Sequence, residues 1–198
     1  VERTALLLDK PDKNNDRSRR SFYHRHGIAD WEVFENFITG KLYKEIVSGK
    51  PDNNTIIGPG QTIDIGGNDW QVIMSYGHAP GHISLYCEAL NMLISGDQDF
   101  ASLPEDTIVL PSHGKVFQGL HTRIAEIVGH HDKMLETVFS TCKQAHSTTE
   151  LVPKLFPRKL EGVNTILAFG ETLSHLNYLH AEQRLQRQLQ SEKYTYRQ

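Results

Sequence analysis

The sequence predicts an α+β protein, and two periodicities in the placement of hydrophobic residues indicate this class. Between Gly58 and Leu110, hydrophobic residues alternate with polar ones, which is typical of β-strands. After Gly119 they recur every three or four residues, which is typical of amphipathic helices. With 198 residues, 38% of them hydrophobic, the chain is long enough to form one sizeable core and a small further module.

The N-terminal region predicts two helices. A polar, turn-rich segment over 9–21 leads into a short basic helix that ends at His26-Gly27. A further helix is expected after Asp30, which can cap its start, and it ends before Gly40. Its apolar stripe consists of Trp31, Phe34 and Ile38.

The middle of the chain predicts a β-sheet. Alternating segments on either side of Gly66-Gly67 indicate a β-hairpin, because paired glycines favour the tight turn. Three more strands are expected after it, around residues 83–87, 92–94 and 107–110.

The C-terminal part predicts three helices and a second hairpin. A long amphipathic helix runs from Leu120 to Val138, and a capping box at Ser147–Glu150 opens the next helix, which Pro157 limits. A third helix over 166–179 precedes two alternating segments near Leu185 and Tyr196. Helix, helix and hairpin follow the order of a winged-helix module, so we predict domains at 1–143 and 144–198.

Composition excludes several classes of function. No apolar run approaches the roughly 20 residues of a membrane-spanning helix. Two cysteines cannot form a disulfide framework, which favours a reducing compartment, and the cytoplasm is the expected location. A net charge of −3 gives no general reason to bind nucleic acid. The chain begins at Val1 without a signal-peptide pattern, and we interpret this start as a truncation.

Three short motifs beside predicted strand ends carry residues that bind metals. They contain a histidine or an aspartate next to glycine or proline, and they are Gly77–His82, Ser95–Gln98 and Pro111–Gly114. Glycine and proline tighten such turns, so that the side chain points away from the sheet edge. Neutral imidazole together with carboxylate suits a divalent zinc or iron ion.

These motifs resemble those of the metallo-β-lactamase-fold hydrolases, and the resemblance covers most of residues 56–143. It implies an αββα sandwich, which the present residues form incompletely, with a winged-helix-like C-terminal module. It further implies two divalent metal ions, zinc with iron or manganese as alternatives. His82 and His113 would each bind one ion, while Asp97 would bridge both and act as the catalytic carboxylate. His78 is expected to contact substrate, with a structural role equally open.

One signature of that family is absent from this sequence. The motif His-x-His-x-Asp-His would supply the remaining ligands, but His24-Arg25-His26 is followed by Gly27-Ile28-Ala29 instead. The segment between Asp97 and His113 is also shorter than in that family, and residues 98–101 resemble a junction across missing residues. We therefore expect the natural protein to contain residues that this sequence lacks.

The predicted function is hydrolysis of a small-molecule ester or thioester by a metal-bound hydroxide. Two alternatives stay open: a nuclease of the same fold that acts on RNA or DNA, and a non-catalytic binding or scaffold module. No membrane partner is expected, nucleic acid is not favoured, and a homodimer stays open. The other histidines are interpreted as solvated, at the edge of the core or without chemistry, namely His121, His130, His131, His146, His175 and His180.

Overall fold

The computed structural model describes residues 13–28, 35, 55–76, 79 and 81–198. Its four helices within these residues are α1 (Lys13–Arg25), α2 (Leu120–Thr141), α3 (Thr148–Leu155) and α4 (Val163–Ala181). Its seven strands there are β1 (Thr62–Ile65), β2 (Asn68–Ser75), β3 (His82–Cys87), β4 (Met92–Gly96), β5 (Ile108–Pro111), β6 (Gln186–Gln190) and β7 (Lys193–Arg197). Of the helix predicted after Asp30, only Glu35 lies within the described residues, and it is helical.

The chain divides into two compact units. The first contains the described part of Pro51–Gly129, and the second contains the described parts of Lys10–Lys50 and His130–Gln198. Helix α2 therefore contributes its first ten residues to one unit and the rest to the other. The sequence-based boundary between residues 143 and 144 stays a prediction.

The first unit is built on a five-stranded sheet with the order β1-β2-β3-β4-β5. Neighbouring strands are antiparallel, except that β4 and β5 run parallel. The predicted hairpin is confirmed, since β1 and β2 pair across Gly66 and Gly67, whose φ values are +64° and +77°. Turns rather than a helix connect β4 to β5, which is unusual for a parallel pair.

The direction of the strands determines which of their ends meet. Strand β4 is antiparallel to β3 and parallel to β5. The start of β3 therefore lies at the same edge of the sheet as the C-terminal ends of β4 and β5. On the sheet, Leu93 and Val109 are fully buried against Leu120 of α2. This packing fixes the three strands that carry the metal-binding motifs.

Glu105 caps the start of α2. Its carboxylate accepts the main-chain N–H of His121 at 2.5 Å and the hydroxyl of Thr122 at 2.9 Å. These hydrogen bonds stabilise the ionised carboxylate and hold the pKa of Glu105 below its ordinary value, led by the bond from the His121 main chain. A negative charge at a helix N-terminus is also favoured by the helix dipole.

The second unit packs α3, α4 and the β6–β7 hairpin around a hydrophobic core. Leu176 and Leu179 of α4 are fully buried there with Tyr196 of β7. Through Tyr196, the hairpin therefore packs on α4. Tyr194 lies under the guanidinium of Arg187, 4.8 Å from the ring centre. The assignment of this module as a winged helix stays a prediction.

The capping box predicted at the start of α3 is confirmed, because the side chain of Glu150 reaches back to the main chain of Ser147. The Glu150 carboxylate accepts the main-chain N–H of Ser147 at 2.7 Å. This bond, joined by one from the Ser147 hydroxyl, lowers the pKa of Glu150. The helix ends at Leu155, before Pro157.

The N-terminal helix is longer than the sequence predicts. We expected a turn-rich segment over 9–21, but α1 already begins at Lys13. Its C-terminal end packs on α4, where the rings of Tyr23 and Phe169 are 5.9 Å apart. Tertiary packing of this kind outweighs weak local helix propensity.

His26, which follows α1, is buried against the C-terminal hairpin. Its ring lies 5.1 Å from that of Tyr194, and its Nδ1 is 3.5 Å from the hydroxyl of Thr148. Burial, assisted by the positive charge of Arg187, lowers the pKa of His26 from 6.5 to about 4. The imidazole is therefore neutral in the folded protein at neutral pH.

This environment predicts loss of stability in mild acid. The folded protein binds fewer protons at His26 than the unfolded chain, so the stabilisation is complete above pH 6.5 and is lost as the pH falls from 6.5 to about 4. The slope contributed by this residue should approach about 1.4 kcal/mol per pH unit. Urea denaturation at several pH values would measure it. His26→Gln should flatten the curve, whereas His24→Gln, at an exposed position, should not.

None of the described helices is long and apolar enough to span a membrane.

Candidate metal centre

The three predicted metal-binding residues lie at the same edge of the first unit's sheet. His82 is the first residue of β3, Asp97 directly follows β4, and His113 lies two residues after β5. A hydrogen bond from the Ser112 main chain to the Gly96 carbonyl, at 3.1 Å, joins the ends of β4 and β5. The sheet's topology thus brings together residues that are up to 31 positions apart in sequence.

The imidazole of His82 lies against the main chain that follows β4. Its Nε2 accepts the N–H of Asp97 at 3.3 Å. Gly96, at φ +60°, permits this contact, because a Cβ at this position would come within 2.5 Å of His82 Nε2. The adjoining strands are tied by the buried hydroxyl of Ser84, which donates to the Ser95 carbonyl at 2.8 Å.

His113 faces the carboxylate of Asp97. Its Nε2 lies 3.9 Å from Oδ1 of Asp97, and its side chain is 89% exposed. A cation with ligand bonds of about 2.0–2.2 Å can join atoms this far apart. The exposed position leaves the site open to solvent and to small molecules.

A cavity of about 650 Å³ opens beside Asp97 and His113. It is also lined by charged side chains of both signs, namely Asp99, Lys115, Arg123 and Glu126. Burial raises the pKa of Asp99, and the nearby charge of Arg123 opposes that rise. The volume of the cavity is that of a pocket that binds a small organic molecule.

The donor set fits a transition-metal ion. Two imidazoles and a carboxylate are ligands that zinc, iron or manganese accept. The ligand atoms of His82, Asp97 and His113, all three of them described, do not all lie within 4.8 Å of one another, so these side chains would have to move to hold a common ion. Three residues also cannot fill the coordination of two ions. His78, predicted to contact substrate, lies outside the described residues. The roles of His78, His82, Asp97 and His113 stay predictions.

Sequence reasoning missed the residues that line the cavity from outside the three motifs. Lys115 follows β5, and Arg123 and Glu126 lie on the first turns of α2. Their i,i+3 spacing places them side by side on the helix, where they form an ion pair of 3.2 Å. The sequence contains no sign that this face of α2 lies beside the motifs, because that depends on helix-to-sheet packing.

The fold and the site define a known class of protein. The model of the metallo-beta-lactamase superfamily matches residues 17–138, and that of the metallo-beta-lactamase-like C-terminal domain matches residues 135–198. The chain belongs to the metallo-beta-lactamase superfamily. None of the curated proteins matches the chain.

The solved structures that are similar to this chain include two with TM-scores above 0.7. A beta-lactamase domain protein from Burkholderia ambifaria is 31% identical with a TM-score of 0.77, over 89% of this chain and 60% of that one. A metallo-beta-lactamase family protein from Thermus thermophilus is 22% identical with a TM-score of 0.72, over 96% of this chain and 66% of that one. The chain therefore spans slightly less than two thirds of each. The second likeness shows the fold alone.

Family membership confirms the expected fold class. Proteins of this superfamily usually bind metal ions and are commonly hydrolases, although some members are not catalytic. The reaction and substrate of the present chain are thus matters for proposal.

Proposed function

We propose that this protein is a metal-dependent hydrolase that acts on an ester or thioester of a small molecule. The observation that carries the proposal is the placement of His82, Asp97 and His113 at one edge of the sheet, where Asp97 and His113 line a cavity of about 650 Å³. Membership of a superfamily rich in metallohydrolases supports the same reaction type.

Asp97 holds the central position in the proposed site. Its two carboxylate oxygens can serve different ions, while His82 and His113 each offer an imidazole nitrogen. A bound divalent ion there would supply an acidified water as the nucleophile and polarise the substrate carbonyl. His82 would first have to release its hydrogen bond from the Asp97 main chain.

The cavity lining indicates how a substrate would be oriented. Lys115 and Arg123 can pair with a carboxylate or other anionic group of the substrate, whereas Asp99 and Glu126 disfavour a second negative charge. This mixed lining suits a compact ester or thioester better than a long polyanion. Tyr196 of the C-terminal hairpin is fully buried, so its ring is not accessible for stacking on an RNA base.

The proposed location is the cytoplasm. Cys87 and Cys142 are both buried and unpaired, which suits a reducing compartment. Burial raises the pKa of the Cys142 thiol to about 11, so this residue stays protonated and unreactive.

Replacing Asp97 or His113 by alanine should reduce metal-dependent hydrolysis about 100-fold or more, because each change removes a direct ligand. The assay follows hydrolysis of a nitrophenyl ester and of an acyl thioester by protein supplied with zinc or manganese. Asp64→Ala is the matched control, since this carboxylate is exposed on β1 of the same unit and does not line the cavity. Equal turnover by Asp97→Ala and Asp64→Ala would refute the proposal, as would a wild-type protein that cleaves neither substrate.

A further inference from the structure

A second group of metal-binding side chains lies in the helical unit. His131 of α2 faces Glu171 and His175 of α4, and one ligand atom from each lies within 4.8 Å of the other two. Among the residues that the structure describes, this is the one such group of three. It shares no residue with the site formed by His82, Asp97 and His113.

A hydrogen bond from one ring nitrogen fixes the orientation of His175. Its Nδ1 lies 2.7 Å from the main-chain carbonyl of Glu171, to which it donates a hydrogen bond. The proton is therefore on Nδ1, and the lone pair of Nε2 points toward His131. The residue is only 6% exposed, so water cannot easily satisfy this lone pair. Histidines that bind metals commonly show this arrangement, in which one ring nitrogen donates to a carbonyl and the other binds the ion.

The distances suit a tetrahedral transition-metal ion. His131 Nδ1 and His175 Nε2 are 3.2 Å apart. Two nitrogens bound to one zinc at 2.0–2.1 Å are separated by about 3.3 Å in tetrahedral geometry. The same distance allows a direct hydrogen bond between the imidazoles, and the carboxylate of Glu171 beside them supplies the third donor that a metal ion would use.

The third donor follows from helix geometry. Glu171 and His175 are four residues apart on α4, so their side chains lie on the same face. His130, next to His131 on α2, places its Nε2 3.6 Å from Oε1 of Glu171 and can orient the carboxylate. Two imidazoles with one carboxylate favour zinc or a similar transition metal over calcium or magnesium, which prefer oxygen ligands alone.

We propose that His131, Glu171 and His175 bind one zinc-class ion that joins α2 to α4. The ion would stabilise the second unit, because binding to the folded state alone shifts the folding equilibrium. This site is independent of the proposed hydrolase activity, and its test does not use that activity.

The test measures zinc stoichiometry by equilibrium dialysis of the full chain, and thermal unfolding with and without zinc. His131→Gln should bind one zinc fewer than the wild type and lose the zinc-dependent rise in Tm. Because His131 is exposed, this variant should fold. Glu171→Gln, at a half-buried position, gives a second variant with the same expected loss. His121→Gln is the control, since this exposed histidine lies on the same helix outside the group.

Two results would overturn the proposal. One is a His131→Gln or Glu171→Gln protein that binds as much zinc as His121→Gln and keeps the same rise in Tm. The other is a wild-type protein whose Tm does not respond to zinc. In either case the two imidazoles would form only a hydrogen bond between helices. Asp97→Ala should keep the zinc-dependent rise in Tm, which separates this site from the one at the sheet edge.

Discussion

Replacing Leu176 by alanine should lower the free energy of unfolding by about 3 kcal/mol, within a range of about 2–5 kcal/mol. Leu176 is fully buried on α4 against Leu151, Leu179 and Tyr196. Truncation removes buried methyl groups and leaves a cavity that rigid neighbours cannot fill. Urea denaturation monitored by circular dichroism would measure the change.

Leu167→Ala is the matched control, because it is the same substitution on the same helix at a position that is 58% exposed. Its effect should stay below about 1 kcal/mol, since alanine is at least as good a helix former as leucine. Similar losses for the two variants would show that α4 does not bury the face assigned to it. The comparison therefore tests the core of the second unit without reference to any activity.

Elements that depend on local chemistry could be predicted from the sequence. The β1–β2 hairpin follows from alternating residues around Gly66-Gly67, because glycine adopts successive positive φ values without the steric cost of a Cβ. Helix α2 follows from the spacing of its apolar residues, and the start of α3 from the Ser147–Glu150 capping box. In each case the signal lies within a few residues of the element that it specifies.

Elements that depend on tertiary contacts could not be predicted in the same way. Helix α1 begins earlier than the sequence indicates, and its C-terminal end packs through Tyr23 on Phe169, which is far away in sequence. The pairing of His131 with His175 arises from the packing of two helices, so the sequence indicates only a solvated or core-edge role for His131 and no chemistry for His175. The local signal that could have drawn attention to them is the four-residue spacing of Glu171 and His175 on one helix.

The candidate site at the sheet edge was predictable in part. Glycine and proline beside His82, Asp97 and His113 mark strand ends, and one sheet brings those ends to a common edge. The cavity was not predictable, because Arg123 and Glu126 reach it from α2. Motifs specify ligand types in short loops, whereas pocket walls depend on how distant elements pack.

Replacing Gly96 by alanine adds one methyl group against the ring of His82, and we expect this change to disturb the sheet-edge site strongly. The residue has φ +60°, a left-handed conformation that costs a residue with a Cβ about 1–2 kcal/mol. The new Cβ would also lie 2.5 Å from Nε2 and 2.6 Å from Cε1 of His82, closer than carbon and ring atoms can approach. The ring of His82 must therefore move away from the Asp97 main chain.

Gly66→Ala separates the two contributions. Gly66 has a similar φ of +64°, but nothing lies within 4 Å of a Cβ built there. The free energy of unfolding should fall by about 1–2 kcal/mol in both variants because of the left-handed backbone, and only in Gly96→Ala should it fall further. Unfolding free energies would show this difference, and zinc titration of both variants would show whether it reaches the site.

If His82 is a metal ligand, Gly96→Ala should weaken zinc binding about 10- to 100-fold, while Gly66→Ala should leave it unchanged. Equal stability losses in the two variants would mean that the His82 ring does not rest on Gly96 as described. A larger loss of stability in Gly96→Ala than in Gly66→Ala, with unchanged zinc affinity, would confirm that the His82 ring packs on Gly96. It would also show that His82 is not a metal ligand. Because the same methyl group is added on the same kind of backbone, only the presence of the His82 ring distinguishes the two positions.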